Sequence, residues 1–246
     1  VSDDTTGDAF INSLDKSGVR VNINQVDNGI TGECLVLITP DHERTMYTHL
    51  GVSSQLNIED INQGVIKDSE YLLVEGYLVT SEETMNVASY SMDIATKHGV
   101  KKIITLSDPN VVKFFRDNIL ELLNKTFDII FCNKQEALNV SKSNNIDDAI
   151  DFLKKYAHEI IITCGEDGAY VTIGSEKFHE IPDSVKPVDL TGAGDMFLAA
   201  YIFAKVRDKS VIDRIKFANT CSGNVIQTYG AKLYKEDYIK LLKKLQ

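Results

Sequence analysis

The chain has 246 residues, 26 of them basic and 36 acidic, for a net charge of −10. That length suffices for one large domain with a substantial core, with room for a small appendage. The acidic balance argues against a general binder of nucleic acid or of an anionic membrane, and no apolar run is long enough to span a bilayer.

From Asp8 to Ser17 apolar residues recur at helical spacing, with Phe10, Ile11 and Leu14 on one face and Gly18 as the stop. Three strand-like pieces follow, Val21 to Val26, Cys34 to Thr39 and Arg44 to His49, with Pro40 to Glu43 as the turn before the last. No helix separates them, so a small antiparallel sheet is expected within residues 20–50. From Ser69 onward strands and helices alternate. Tyr71 to Glu75 reads as a strand, and Thr80 to Glu83 as a capping box for a helix ending at Gly99. Lys102 to Leu106 is the next strand, then a helix over Val111 to Leu123 and a strand from Asp128 to Phe131. Helical text runs on through Val140, and Ile146 to Tyr156 is helix. Glu159 to Thr163 is strand, and Ala169 to Ile173 with Lys177 to Glu180 reads as a β pair. A helix after Asp195 ends near Asp208, another capped by Ser210 runs to about Tyr229, and a basic amphipathic helix follows Tyr234. The alternation predicts a mainly parallel central sheet with helices on both faces, over residues 69–246.

The four cysteines, Cys34, Cys132, Cys164 and Cys221, form neither a C-x-x-C pair nor a zinc spacing, so buried free thiols in a cytoplasmic protein are expected. The five histidines are scattered, which gives little support to a histidine metal site or a Ser-His-Asp triad. The chemistry concentrates near the end of the chain. Asp189, Leu190, Thr191, Gly192, Ala193, Gly194 and Asp195 form a loop that feeds an apolar helix. Two glycines let a ligand approach the backbone, and the first N–H groups of the helix, with its dipole, suit an anion. Asp195 at that mouth is placed to take a proton from a nucleophile. On spacing alone a structural cap and a phosphate site stand at even odds.

The whole string resembles the Asp-Thr-x-Gly-Ala-Gly-Asp signature of ribokinase-like (pfkB-type) carbohydrate and nucleoside kinases, with Leu190 in place of the usual Thr. The resemblance covers almost the whole chain, 1–246, as one ribokinase-like kinase domain. It implies that Asp195 is the catalytic base and that backbone N–H groups of Gly192, Ala193 and Gly194 hold the charge of the transferred phosphoryl group. Asn133 and Glu136 match the family's Asn-x-x-Glu, which implies Mg²⁺ placed by Glu136 through water. Thr163, Gly165 and Gly168 match Thr-x-Gly-x-x-Gly, which meets nucleotide phosphate, although Asp167 and Gly168 also read as an ordinary hairpin turn. Asn219 lines up with the adenine-flanking helix, or else turns to solvent. Asp189 and backbone around Gly230 correspond to a monovalent-cation site, so K⁺ joins ATP and Mg²⁺ among the expected cofactors.

The text from Thr31 to Met46, continuing to Leu50 and Gly51, is similar to the adenosine-kinase-like branch, where strands over 20–50 form a lid. A nucleoside is therefore the expected acceptor, with a free sugar such as ribose or fructose as the alternative. The resemblance admits a homodimer joined through the lid and implies no nucleic-acid or membrane partner. A nucleotide-binding relative without catalysis is disfavoured by retention of Asp195, both glycines, Asn133 and Glu136. A dinucleotide oxidoreductase is disfavoured because no G-x-G-x-x-G follows an early strand. The chain opens at Val1 without Met. The family's first strands, part of its lid, its Gly-Gly motif and an early Asp find no counterpart here. A truncated or renumbered protein is expected over a naturally short one.

Overall fold

The computed structural model describes residues 1–39 and 44–245. The turn expected from Pro40 to Glu43 lies outside the described residues. The chain divides into two compact units. One comprises Val1–Leu37, Thr45–Leu72 and Leu78–Lys101, and the other Ile38–Arg44, Leu73–Tyr77 and Lys102–Gln246.

In the first unit, α1 spans Thr5–Lys16. Asp4 caps it, accepting from the Gly7 amide at 2.7 Å, the Thr31 amide at 2.8 Å and the Thr31 hydroxyl at 2.6 Å. Those bonds, the Thr31 hydroxyl foremost, hold the Asp4 carboxyl below its usual range. β1 (Glu33–Ile38) and β2 (Arg44–His49) form a two-stranded sheet. The third strand expected here, Val21 to Val26, does not form: the segment makes only an isolated bridge, between Ser2 and Val26. Its Asn22 and Asn24 side chains bond instead to Asn62 and Asp60. A short helix that the periodicity missed, α2 (Gln63–Lys67), is followed by the long α3 (Glu82–His98). The cap of α3 is Ser81, which accepts from the Thr84 amide, rather than the expected box starting at Thr80, because Gly76–Thr80 is taken up in a 3-10 turn. Gly99 ends α3 at φ 70°. Ile66, Ile94, Ala95 and Val100 form a core, with Ile61, Leu72 and Tyr90 packed on it.

The second unit is built on a six-stranded sheet of β3 (Tyr71–Glu75), β4 (Lys101–Thr105), β5 (Phe127–Asn133), β6 (Ala157–Thr163), β7 (Ala169–Ile173) and β8 (Glu176–Glu180), in that spatial order. β4, β5 and β6 run parallel, β7 is antiparallel to β6, and β8 is antiparallel to β7. Ile129, Ile130, Phe131 and Cys132 on β5 and Ile160, Ile161 and Ile162 on β6 are all buried. Unbroken apolar runs of this kind belong to strands covered on both faces. The register sets Asn133 beside Thr163, so the two strands end together. The helix expected over Val111 to Leu123 is two, α4 (Pro109–Phe114) and α5 (Arg116–Leu123), because Phe115 leaves helical geometry at φ −119° and ψ 31°. α6 (Lys134–Ser141) and α7 (Ile146–Leu153) connect β5 to β6. α8 (Ala193–Lys205), α9 (Val211–Val225) and α10 (Lys235–Lys243) complete the unit, with α9 stopping four residues short of the expected Tyr229. Among the described residues no helix is long and apolar enough to cross a membrane.

One buried polar cluster fastens α8 to the sheet. Glu159 on β6 is 3% exposed. It accepts from the Tyr201 hydroxyl at 2.7 Å and pairs with the Lys205 ammonium. Burial, then the neighbouring Glu159 charge, pushes the Tyr201 hydroxyl far above its usual range, so it stays a donor. Phe131, Phe197 and Tyr201 stack in series beside this cluster, with ring centroids 5.9 and 6.4 Å apart. Tyr201→Phe removes one donor from a buried carboxylate and is expected to cost about 1.5–3 kcal/mol. Glu159→Ala strands Lys205 and Tyr201 together and is expected to cost about 3–5 kcal/mol. Urea titration of the two variants checks both values, and a smaller loss for Glu159→Ala than for Tyr201→Phe would contradict this account.

Candidate phosphate-binding and catalytic site

The N-terminus of α8 is set by Gly192, whose φ of 79° is a left-handed conformation. A Cβ there would lie 2.6 Å from the Ala231 Cβ, so glycine is required twice over. No side chain caps α8. α1, α3, α4, α6, α7 and α9 each start under a side-chain oxygen, whereas α5 and α10, like α8, do not. The Ala193 amide donates to the Leu190 carbonyl at 3.3 Å; the N–H groups that follow it, which have no intrahelical acceptor, and the positive end of the helix dipole are left to a ligand. Gly194, one residue into the helix, has a different reason to be small. A Cβ there would only touch the Phe131 ring at 3.7 Å, an ordinary contact. Protein packing leaves this position open, as close approach by a phosphate requires. Asp195 stands exposed in the first turn.

The loop before α8 is held from behind. Asp189 is 2% exposed. One of its oxygens accepts from the Thr191 amide and the other from the Gly230 amide, each at 2.8 Å. The amides of Val188 and Asp189 donate to the Ile226 carbonyl at 2.7 and 3.2 Å. The Ser222 hydroxyl donates to the Ala193 carbonyl at 2.9 Å. Asp189 and Gly230, expected beside a monovalent cation, are thus brought together by a direct hydrogen bond. The Thr191 hydroxyl is buried without a partner. An uncapped helix start, an unfilled space at Gly194 and an unpaired buried hydroxyl together fit a phosphate-bearing group.

Asn133 and Glu136 meet at the end of β5 in a reciprocal capping box. The Glu136 amide donates to the Asn133 side-chain oxygen, while the Asn133 amide and side-chain nitrogen donate to the two Glu136 oxygens at 2.9 and 2.6 Å. The spacing Asn-x-x-Glu before a helix carried that signal. Glu136 is 4% exposed, and burial raises its carboxyl to about 7, against the hydrogen bond from Asn133 and with help from the Asp108 charge. Asp108 caps α4 from the end of β4 and was not among the residues singled out from sequence.

Thr163 ends β6 and opens the turn to β7, where the Cys164 amide donates to the Gly168 carbonyl at 2.7 Å. Gly165, at φ 60°, has open space where a Cβ would be. Gly168, at φ 87°, would drive a Cβ to 2.1 Å from the Glu180 carbonyl oxygen. Asn219 lies on α9 and does not turn to solvent. It is buried, and its amide nitrogen donates to that same Glu180 carbonyl at 3.1 Å, so it ties α9 to β8. Glu75, at the end of β3, was missed. Partial burial and the nearby Asp195 charge raise its carboxyl above the usual range, which puts a second acid next to the expected base. Its position at a strand end, outside which ligands bind in such sheets, was the available signal.

An α/β sheet whose strand ends face an uncapped, glycine-opened helix defines a phosphate-handling protein of ribokinase-like fold. The model of the pfkB family carbohydrate kinases matches residues 1–237, and the chain belongs to that family. A ribokinase of Staphylococcus aureus is 27% identical over 211 residues, covering 82% of this chain and 66% of that protein. Adenosine kinase 2 of Arabidopsis thaliana is 25% identical over 253 residues, covering 94% and 71%. The crystal structure of adenosine kinase from Sinorhizobium meliloti superposes with a TM-score of 0.94 at 30% identity, over 99% of this chain and 76% of that one. Family members are ATP-dependent phosphotransferases that act on sugars or nucleosides.

Two outcomes test this geometry. Gly192→Ala forces a left-handed alanine against Ala231 and is expected to lower stability by about 1–2 kcal/mol or more. Gly194→Ala has room and is expected to leave the melting temperature within about 2 °C while weakening phosphate binding. Calorimetry on the free protein separates them, and equal destabilisation would mean that both glycines serve packing. The second outcome concerns Glu136. A carboxyl raised in the folded state favours folding fully below its unfolded value of 4.5, and the benefit is lost as pH rises through about 7. Glu136→Gln cannot titrate, so its stability relative to the parent should improve between pH 5 and 8, by at most about 3 kcal/mol. Melting curves across that range without added Mg²⁺ provide the check; a difference independent of pH would refute the shift.

Proposed function

We propose that the chain transfers a phosphoryl group from ATP to the primary hydroxyl of a nucleoside of adenosine type. The observation that carries the phosphotransfer reading is Asp195, exposed in the first turn of a helix that no side chain caps. The similarity to the adenosine kinase of Sinorhizobium meliloti supports the nucleoside. ATP supplies the phosphoryl group, and Mg²⁺, placed by Glu136 and Asn133, would supply neutralising charge to the nucleotide phosphates. Asp195 accepts the hydroxyl proton on a carboxylate oxygen. Backbone N–H groups of Gly192, Ala193 and Gly194 face the charge that develops on the transferred group. Thr163, Gly165 and the turn to Gly168 lie along the nucleotide phosphates, at the strand end beside Asn133. Among the described residues no three His, Cys, Asp or Glu side chains converge on a metal position. Mg²⁺ would therefore keep its water, with Glu136 acting through that water and through Asn133. A monovalent cation beside Asp189 and a dimer through exposed lid residues such as Leu35 and Tyr47 complete the proposal.

Asp195→Asn tests the chemistry. It should lower kcat by roughly 10²–10⁴-fold, the worth of a general base, and leave ATP affinity and melting temperature unchanged. Unchanged turnover would remove Asp195 from the mechanism. A panel of adenosine, ribose and fructose, read as acceptor-dependent ADP release, tests the acceptor. Faster release with ribose than with adenosine would make the chain a sugar kinase, the reading favoured by its 27% identity to a ribokinase.

A further inference from the structure

The starting edge of the central strands carries a pocket lined by basic and hydroxyl side chains, on a chain whose net charge is −10. The pocket has a volume of about 360 Å³ and lies where β5 begins at Phe127 and β6 at Ala157. Thr126, Lys154, Lys155, Tyr156, His158 and Gly174 bring their turns to it, and no lining residue is acidic. Backbone bonds join these turns: the Phe127 amide donates to the Tyr156 carbonyl at 2.8 Å, and the Gly174 amide to the His158 carbonyl at 3.2 Å. Asn133 and Thr163 end the same two strands, each seven residues long. Roughly 20 Å of strand therefore separates the pocket from the candidate catalytic site.

The polar tips here are not engaged by the protein. The Lys155 ammonium lies 5.3 Å from the Phe152 ring centroid and makes no ion pair among the described residues. The His158 ring and the hydroxyls of Thr126 and Tyr156 likewise have no hydrogen-bond partner among them. Lys154 pairs with Asp151 at 3.0 Å, an exposed pairing that contributes little and can be shared. Thr126 adds a second observation. It is held at φ 55°, a conformation in which a β-branched residue is an outlier and which glycine would adopt without strain. A strained residue in the wall of a pocket points to a use for its side chain.

We propose that this pocket is an anion site separate from the α8 loop, and that it takes a small phosphoryl compound bearing two or more negative charges. Ammonium, imidazole and hydroxyl groups can all donate, and bonds from them to an ionised oxygen are stronger than bonds between neutral groups. A concave wall of one sign focuses that attraction, while the acidic remainder of the surface repels the same ligand. The volume lies at the small end of the range of about 300–1,000 Å³ for small-molecule sites, more than a single monovalent ion fills.

The probe is pyrophosphate, without Mg²⁺ and at fixed pH, read by NMR from the ring C–H resonance of His158. The chain has five histidines, so His158→Gln assigns that resonance by its disappearance. The signal reports this pocket and not the α8 loop. In the parent the resonance should shift and saturate with a Kd of about 1 mM or tighter. Lys155→Gln, an exposed change, should weaken binding about tenfold and leave the melting temperature within about 2 °C. Lys155→Arg, which keeps the charge, should stay within about threefold of the parent. Thr126→Gly should raise the melting temperature by about 2–4 °C through relief of strain, yet weaken pyrophosphate binding. Three results overturn the proposal: a resonance that does not move, an affinity unchanged in Lys155→Gln, or an equal shift with sodium chloride at matched ionic strength. Tighter binding of citrate than of pyrophosphate would overturn the phosphoryl assignment in favour of a carboxylate ligand.

Discussion

The site depends on a helix start that no side chain caps. A backbone N–H can serve a ligand only where no side chain has already claimed it. At α8 the residue in the capping position is Gly192, which has no side chain to offer. That arrangement is costly unless the loop is fixed by other means. Here the fixing is done from the far side, by a buried Asp189 that joins Thr191 to Gly230 and by the end of α9 at Ile226. The glycine that shapes the turn and the glycine that leaves space are therefore different residues with different obligations. Gly192 answers to Ala231, and Gly194 answers to whatever occupies the loop.

The sheet brings the other elements to the same edge. β5 and β6 are parallel and in register, so motifs thirty residues apart, at Asn133 and Thr163, become neighbours. The chain then reverses into β7, and this reversal makes the Thr163 to Gly168 turn tight enough that Gly168 abuts the Glu180 carbonyl. Asn219 donates to that same carbonyl from α9. Since Ser222 on α9 also holds the first turn of α8, one helix registers the two glycine loops against each other. The site is built in this way from elements distant in sequence, with no disulfide among the described residues.

The parts legible in the sequence were those where local chemistry and tertiary role coincide. The apolar runs of β5 and β6 could be read because burial on both faces leaves no polar alternation. The α8 loop could be read because glycine, aspartate and an apolar helix follow one another directly. The two glycines nevertheless looked alike, because spacing does not reveal that Ala231 lies against one of them. Asn-x-x-Glu was read for its metal and not for its cap, yet a single carboxylate can serve both, through different oxygen lone pairs. Asn219 was out of reach: its partner is a backbone carbonyl thirty-nine positions away, and carbonyls leave no mark on composition. Val21 to Val26 failed for the opposite reason. Its alternation is real, but a strand also needs a neighbour, and its only bridge is at Val26.

Glu75 bears on how acceptor choice is divided from chemistry. Partial burial first, and then the Asp195 charge, raises the Glu75 carboxyl above its usual range. On the proposed mechanism such a pair suits an acceptor with more than one hydroxyl, since one carboxylate takes the reacting proton while the other receives a hydrogen bond. Ribose and adenosine both offer a primary hydroxyl and ring hydroxyls, so this pair treats them alike. What distinguishes them is the base, an apolar and flat surface that asks for contact area instead of charge. Preference between a nucleoside and a sugar therefore belongs to surfaces other than Asp195, Glu75 and the start of α8. On the proposed mechanism, substitutions that change the preferred acceptor should in consequence be separable from those that change the rate of transfer, because the proton is moved at the hydroxyl that both acceptors share and not at the base that distinguishes them.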